Sequence, residues 1–189
     1  MAVDPRSFHR FNMVDTCAVW NVLSSNRLYQ GASGAGCIFS CTGFVIYECL
    51  VKPRKKMSTH DLELRRRLVE ERNNARFSTF NLDLEDLQEV EILERRKKLG
   101  KGELSSIAFA KRTNQAFLTD DQKARKLGND VIPGYVQTTP HLLGWLLFEG
   151  ILKDSDKDAV IADHNSLNLP LGKYFEEISE VALRYQSYT

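Results

Sequence analysis

The sequence lacks any apolar run long enough to cross a bilayer. Its least charged stretch near the start, residues 12–26, is broken by Asp15 and falls short of the roughly 20 residues a spanning helix needs, so no membrane contact is expected. The N-terminal residues also lack an apolar segment followed by a small-residue cleavage site, and no secretory signal is expected. The four cysteines, at positions 17, 37, 41 and 49, include no CxxC pair and no zinc-ligand spacing with histidines. That removes dithiol and zinc-finger chemistry and leaves reduced, buried thiols in a cytoplasmic protein as the expectation. Histidines 9, 60, 141 and 164 are too scattered for a ligand set and read as surface or local hydrogen-bonding residues. The glycine-rich residues 31–36 lack the Gly-Lys-Ser/Thr ending of a phosphate loop and read as a flexible turn. There is no internal repeat and no low-complexity linker.

What is present is the composition of a folded protein. The chain has 189 residues, 42% of them hydrophobic and 27% charged, which bounds it to one globular unit with a sizeable core. The net charge of +1 conceals two basic clusters. One comprises Lys52, Arg54, Lys55, Lys56, Arg65, Arg66 and Arg67; the other comprises Arg95, Arg96, Lys97, Lys98 and Lys101. From Lys153 onward the chain turns acidic, with Asp154, Asp156, Asp158, Asp163, Glu176, Glu177 and Glu180. Basic clusters in a near-neutral protein offer a local phosphate-binding surface, or are merely solvated helix faces.

Hydrophobic periodicity alternates between strand and helix. Residues 11–14 form an apolar run that stops at Asp15, and 16–28 follow with helical spacing. Residues 37–40 read as a second strand, 43–50 as a helix carrying Glu48, and 59–74 as a charged amphipathic helix. A third strand is expected at 77–82, helices at 84–99 and 103–112, and a strand at 116–119 that stops at Asp120-Asp121. A short helix at 121–127, a brief strand at 130–133 and an apolar helix at 139–148 containing Trp145 complete the pattern. Such alternation predicts an α/β fold, a three-layer αβα sandwich with a central, mainly parallel sheet over residues 1–150. Residues 151–189 read as a C-terminal helical extension in two pieces around Pro170, packed on the same domain.

In an open parallel sheet, ligands bind beyond the carboxyl ends of the strands. Asp15 and the Asp120-Asp121 pair lie at such ends, and Glu48 and Glu103 can point to the same edge. Carboxylates brought together in a partly desolvated cleft repel one another unless cations neutralise them. Oxygen-only ligands suit hard ions, and Mg2+ or Mn2+ bound this way keeps positions open for phosphate oxygens. The chemistry that follows is hydrolysis of a phosphodiester. Each acid also has a plain structural role open to it. Asp15 can be a helix cap, Glu103 can answer a helix dipole, and one of Asp120 and Asp121 can cap the helix that follows. Glu48, flanked by Tyr47 and Cys49 in an apolar helix, needs a partner or a metal.

With the acids in this order the sequence resembles the PIN-domain family, the nuclease fold of VapC-type toxins and of several RNA-processing enzymes. Val14-Asp15-Thr16 is similar to the family's opening motif, and Val45-Ile46-Tyr47-Glu48-Cys49-Leu50 to its second. The run from Gly102-Glu103-Leu104 to Ala110 is similar to the third, with Glu where many members have Asp. Phe117-Leu118-Thr119-Asp120-Asp121 is similar to the fourth. The resemblance covers residues 11–150, and the tail of about 40 residues exceeds what compact toxins carry. It implies an Mg2+- or Mn2+-dependent endoribonuclease with Asp15, Glu48, Glu103 and Asp121 as catalytic metal ligands. Asp120 is then a secondary ligand, and Thr16 and Thr119 are supporting residues. It further implies an RNA substrate, a homodimer in many members, and an antitoxin or other regulatory protein as partner. The two basic clusters are then the candidates for contact with the RNA backbone. Phe77 and Phe80 are the nearest aromatics and read as core.

The main rival is a PIN-like module that binds RNA or protein without cutting. A haloacid-dehalogenase-type phosphatase would need a second acid two residues after Asp15, where Cys17 stands.

Overall fold

The computed structural model describes residues 4–54 and 56–187. Five short strands, β1 (Phe11–Val14), β2 (Ile38–Thr42), β3 (Phe77–Phe80), β4 (Ala116–Leu118) and β5 (Val136–Gln137), form one sheet in the order β3-β2-β1-β4-β5. Every neighbouring pair is parallel, with Met13 opposite Ser40 on one side and Phe117 on the other. The sheet is therefore wholly parallel, where the sequence gives grounds only for a mainly parallel one.

Alternation along the strands separates two cores. Val14, Phe39 and Leu118 face one layer, built from helices α1 (Thr16–Val22), α2 (Asn26–Gly34), α4 (Thr59–Asn73) and α8 (Thr139–Phe148). Met13 and Phe117 face the other, built from α5 (Leu84–Arg96), α6 (Lys101–Thr113) and α7 (Gln122–Val131). Helices on both faces make the three-layer αβα sandwich. Burial on two faces explains why β1 and β4 read as apolar runs with little alternation, whereas the edge region of β3 is partly exposed and alternates.

The chain leaves β1 toward β2 and β3, then returns to place β4 on the opposite flank of β1. The sheet order thus reverses between β1 and β4, and a crevice opens there at the carboxyl ends of the strands. Asp15 follows β1, and Asp120-Asp121 follow β4. Helix α6 is held against this edge by two buried hydroxyl contacts. Ser106 donates to the Val14 carbonyl at 3.1 Å, and Ser105 and Thr42 share a 2.7 Å bond. Arg112 at the far end of α6 grips the buried Asp86 carboxylate of α5 through two bonds of 2.7 and 2.8 Å.

Several expected elements are displaced. The helix anticipated at 16–28 is two helices, broken where the buried Ser24 and Ser25 bond to Asn21 and Asp163. The turn anticipated at 31–36 is mostly the last turn of α2, because Gly31 lets that helix lie against Leu152 and Leu146. The strand anticipated at 130–133 is the end of α7 and a loop, and β5 lies further on. The helix at 43–50 is a four-residue α3 (Gly43–Ile46) that widens into a π-helical turn over Tyr47–Val51.

The C-terminal residues form α9 (Asp154–Ser166) and α10 (Gly172–Gln186) on either side of Pro170. Helix α10 packs on α8, with Ile178 pressed onto Gly144. His164 is fully buried, contrary to a surface reading: it accepts the Leu171 N–H at Nε2 (3.0 Å) and meets the Ser24 hydroxyl at Nδ1 (2.9 Å). Among the described residues no helix is long and apolar enough to cross a membrane.

Candidate active site at the carboxyl edge of the sheet

Asp15 is fully buried where β1 turns into α1. Its Oδ1 caps α1 by accepting the Ala18 N–H at 2.9 Å and also accepts the Cys17 thiol at 3.0 Å. Its Oδ2 accepts the Thr119 hydroxyl from the end of β4. Burial pushes the Asp15 carboxyl up to about 7 against the pull of these hydrogen bonds, and the Asp120 charge adds to the rise. The Cys17 thiol is itself held protonated, by burial first and by Asp15 and Asp120 next, which fits packing rather than nucleophilic attack.

Glu48 projects from the π-helical turn, a distortion often found where a helix must re-aim a functional side chain. Thr16, the residue after Asp15, donates its hydroxyl to Glu48 Oε2 at 2.5 Å, and Gly102 donates its N–H to Oε1 at 3.2 Å. The contact with Gly102 requires a residue without a side chain, since a Cβ there would stand 2.5 Å from Glu48 Oε2. A Cβ on Gly100 would likewise collide with Glu103 Oε2, with Glu48 Oε1 in ordinary contact at 3.5 Å. Glycines 100 and 102, which the sequence marks only as helix punctuation, are the floor on which two acids meet.

Glu103 lies in the first turn of α6, and its Oε2 is buried without a hydrogen-bond partner among the described residues. Burial raises its pKa, and the charges of Glu48 and Asp121 raise it further, opposed by backbone N–H groups.

The Asp120-Asp121 pair divides its roles. Asp121 caps α7 through Oδ1 to the Ala124 N–H at 2.7 Å, and its own N–H bonds to the Thr119 hydroxyl at 3.2 Å. Asp120 is tied to α1 and α8 while its charge is still felt by Asp15. It accepts from Asn21 at 2.8 Å and from the Thr139 N–H and hydroxyl at 2.8 and 2.6 Å. Burial raises the Asp120 pKa despite these bonds. Asp120 is thus a structural tie between β4 and α8, and Asp121 is the acid electrostatically felt by Glu103.

At this edge Thr119 links Asp15 to the Asp121 backbone, Thr16 holds Glu48, and Glu103 feels the charges of Glu48 and Asp121. Among the described residues, however, no three His, Cys, Asp or Glu side chains stand close enough together to hold a metal ion. The donors are hard oxygens and one of them, Glu103 Oε2, is a buried atom in want of a partner, which fits a divalent cation with several retained waters.

Of the basic residues, Arg65 bonds the Cys49 carbonyl and Arg67 bonds the carbonyls of Leu23 and Ser24, so both are structural. Arg54 pairs with Asp61, Arg66 with Glu63 and Glu70, and Lys101 with Glu94. Lys52, Lys56, Arg95, Arg96, Lys97 and Lys98 have no ion pair among the described residues; Lys55 lies outside them. Phe77 is core as expected, whereas Phe80 is partly exposed and stacks on Phe109 with ring centres 5.0 Å apart.

Sequence reasoning missed the cleft beside Glu48. It holds about 780 Å³ and is lined by Gly43, Phe44, Tyr47, Lys52, Asn81, Leu82, Leu87, Gly100 and Lys101 as well as Glu48. Phe44 and Tyr47, three positions apart on the helical segment that carries Glu48, are the signal that could have found it. No protein-family model matches the chain, and no curated protein matches it.

Proposed function

We propose that the chain is a metal-dependent endoribonuclease that hydrolyses RNA phosphodiester bonds at the carboxyl edge of its sheet. The observation that carries this reading is the buried Oε2 of Glu103, which has no hydrogen-bond partner among the described residues and whose carboxylate feels the charge of Glu48 across Gly100. Like charges so placed are costly unless a positive ion is shared.

Asp15, Glu48, Glu103 and Asp121 would hold Mg2+ or Mn2+. The chemistry such an ion supplies when bound is a lowered pKa for water and neutralisation of charge on the phosphate. The protein's own part is placement. Thr119 holds Asp15 and the Asp121 backbone in register across β1 and β4, and Thr16 holds Glu48 to the same edge. The unpaired Lys52 and the basic end of α5 lie on elements bordering this edge and would attract the RNA backbone. Resemblance to the PIN family also carries the proposals of a homodimer and of a toxin role with a regulatory or antitoxin partner.

A second reading is a PIN-like module that binds RNA or protein without cutting. Among the described residues the acids form no group of three that could hold an ion, and that observation favours it.

Mn2+ titration by calorimetry, run beside incubation of the protein with a mixed RNA pool, separates the two. Heat of binding that is lost in Glu103→Gln, together with cleavage that chelator abolishes, is the expected result. Neither heat nor cleavage would leave the non-cutting module.

A further inference from the structure

The cleft beside Glu48 has the composition of a slot for a planar, uncharged ring rather than for a phosphate. Phe44 and Tyr47 line it from α3 and the π-helical turn, with 36% and 48% of their surface exposed. Leu82 and Leu87 line it from the loop after β3 and from α5. Asn81 stands at its side, exposed, with Oδ1 3.8 Å from the position of a Cβ on Gly43 and no hydrogen bond to any described residue. Two cations, Lys52 and Lys101, lie on the lining. Lys52 has no ion pair among the described residues, and the Lys101–Glu94 pair is surface-exposed and therefore weak. Glu48, the acid on the lining, is already held by Thr16 and Gly102.

We infer that this cleft receives one unstacked base of a single-stranded RNA next to the cut phosphodiester, with Tyr47 as its stacking platform and Asn81 as the group that reads its edge. The inference rests on the ribonuclease reading and adds to it a residue that sets base preference. Aromatic rings and aliphatic walls take the faces of any base, and an amide with both a donor and an acceptor free discriminates among base edges. The lysines supply the charge complement for the phosphates on either side, which an apolar segment of a protein partner would not need. A base paired in a duplex cannot enter, because its edges are occupied and the A-form grooves do not present it.

The probe is a ten-nucleotide RNA carrying 2-aminopurine at one position in turn, bound in excess chelator so that nothing is cut. Wild-type protein is expected to quench the fluorophore at one position, and Tyr47→Ala to abolish that quench and weaken binding roughly 5- to 100-fold. Tyr47→Phe should restore both, which separates stacking from folding. With Mn2+ present, cut sites should show a base preference at a fixed offset that Asn81→Leu flattens. Binding of Tyr47→Ala equal to wild type, or equal binding of the duplex, overturns the inference while leaving cleavage intact. Position-specific quenching by a protein that never cuts supports the cleft and sinks the nuclease. A concentration-dependent dimer abolished by Tyr47→Ala, with RNA binding unchanged, would make the cleft a protein interface instead and overturn the inference.

Discussion

Thr119 donates its hydroxyl to the buried Oδ2 of Asp15, and the same hydroxyl oxygen accepts the N–H of Asp121. One side chain at the end of β4 thus fixes both strand-end acids of the crevice, which is why a threonine at this place matters to two elements at once. Replacement by valine keeps the shape but leaves a buried carboxylate oxygen without a donor, at a cost of about 1–3 kcal/mol. Urea denaturation of Thr119→Val should show that loss, Thr119→Ser should recover most of it, and RNA cleavage should fall in the first and persist in the second.

Gly102 is expected to matter more to activity than to stability. An alanine Cβ would collide with Glu48 Oε2, the oxygen that also accepts from Thr16, and force the carboxylate to move. Displacement of about 1 Å at a reacting centre costs on the order of 100-fold in rate. Gly102→Ala should show a loss of that order in cleavage kinetics, with a midpoint of thermal unfolding that stays close to that of wild type.

Asp15 gives the free protein a stability that declines with rising pH. Its folded-state pKa of about 7 exceeds the ordinary value of 3.8, so the native state holds the proton more tightly than the unfolded chain. The contribution is complete below pH 4, is lost as pH rises through 7, and changes little beyond. Unfolding measured from pH 4 to 8 in chelator should show that slope reduced in Asp15→Asn. Mn2+ at pH 8 should raise the midpoint of wild type and not of the variant.

His164 gives the opposite slope. Burial holds its pKa down to about 4 from 6.5, so the unfolded chain binds the proton more tightly over that interval. Because Leu171 N–H can only donate, Nε2 must be the bare nitrogen and Nδ1–H the donor to Ser24. The contribution is complete above pH 6.5 and is lost as pH falls toward 4, by roughly 2–4 kcal/mol. His164→Gln should flatten this acid limb, read by the same unfolding series below pH 6.5.

Strands β1 and β4 were legible because they are largely buried and end at polar residues, whereas β5, only two residues long, was not. Phe11–Val14 and Ala116–Leu118 announce themselves as apolar runs that stop at aspartate. The places of Asp15 and the Asp120-Asp121 pair were legible for the same reason, since an acid that follows a buried strand lies at its carboxyl edge, whereas Glu48 and Glu103 sit on helical turns. What local sequence could not give was the long-range partner. Nothing near Asp120 tells that Thr139, nineteen residues on, will take both its oxygens, or that Asp121 alone will stay beside Glu103. Residues 31–34 are helical although glycine-rich, since packing on Leu152 outweighs the low helix propensity of glycine. The burial of His164 depends on Ser24, 140 positions away. The base-sized cleft joins Tyr47 to Asn81 and Lys101 only after β2 and β3 have paired.

The central claim is that the carboxylates at this sheet edge cut RNA, and the most direct measurement compares wild type with Asp15→Asn on total RNA. Both proteins are incubated with Mg2+, Mn2+ or chelator, and the new 5′ and 3′ ends are sequenced. Discrete ends are expected from wild type only when a divalent ion is present, and none from the variant. Equal cleavage by Asp15→Asn, or ends that persist in chelator, would contradict it.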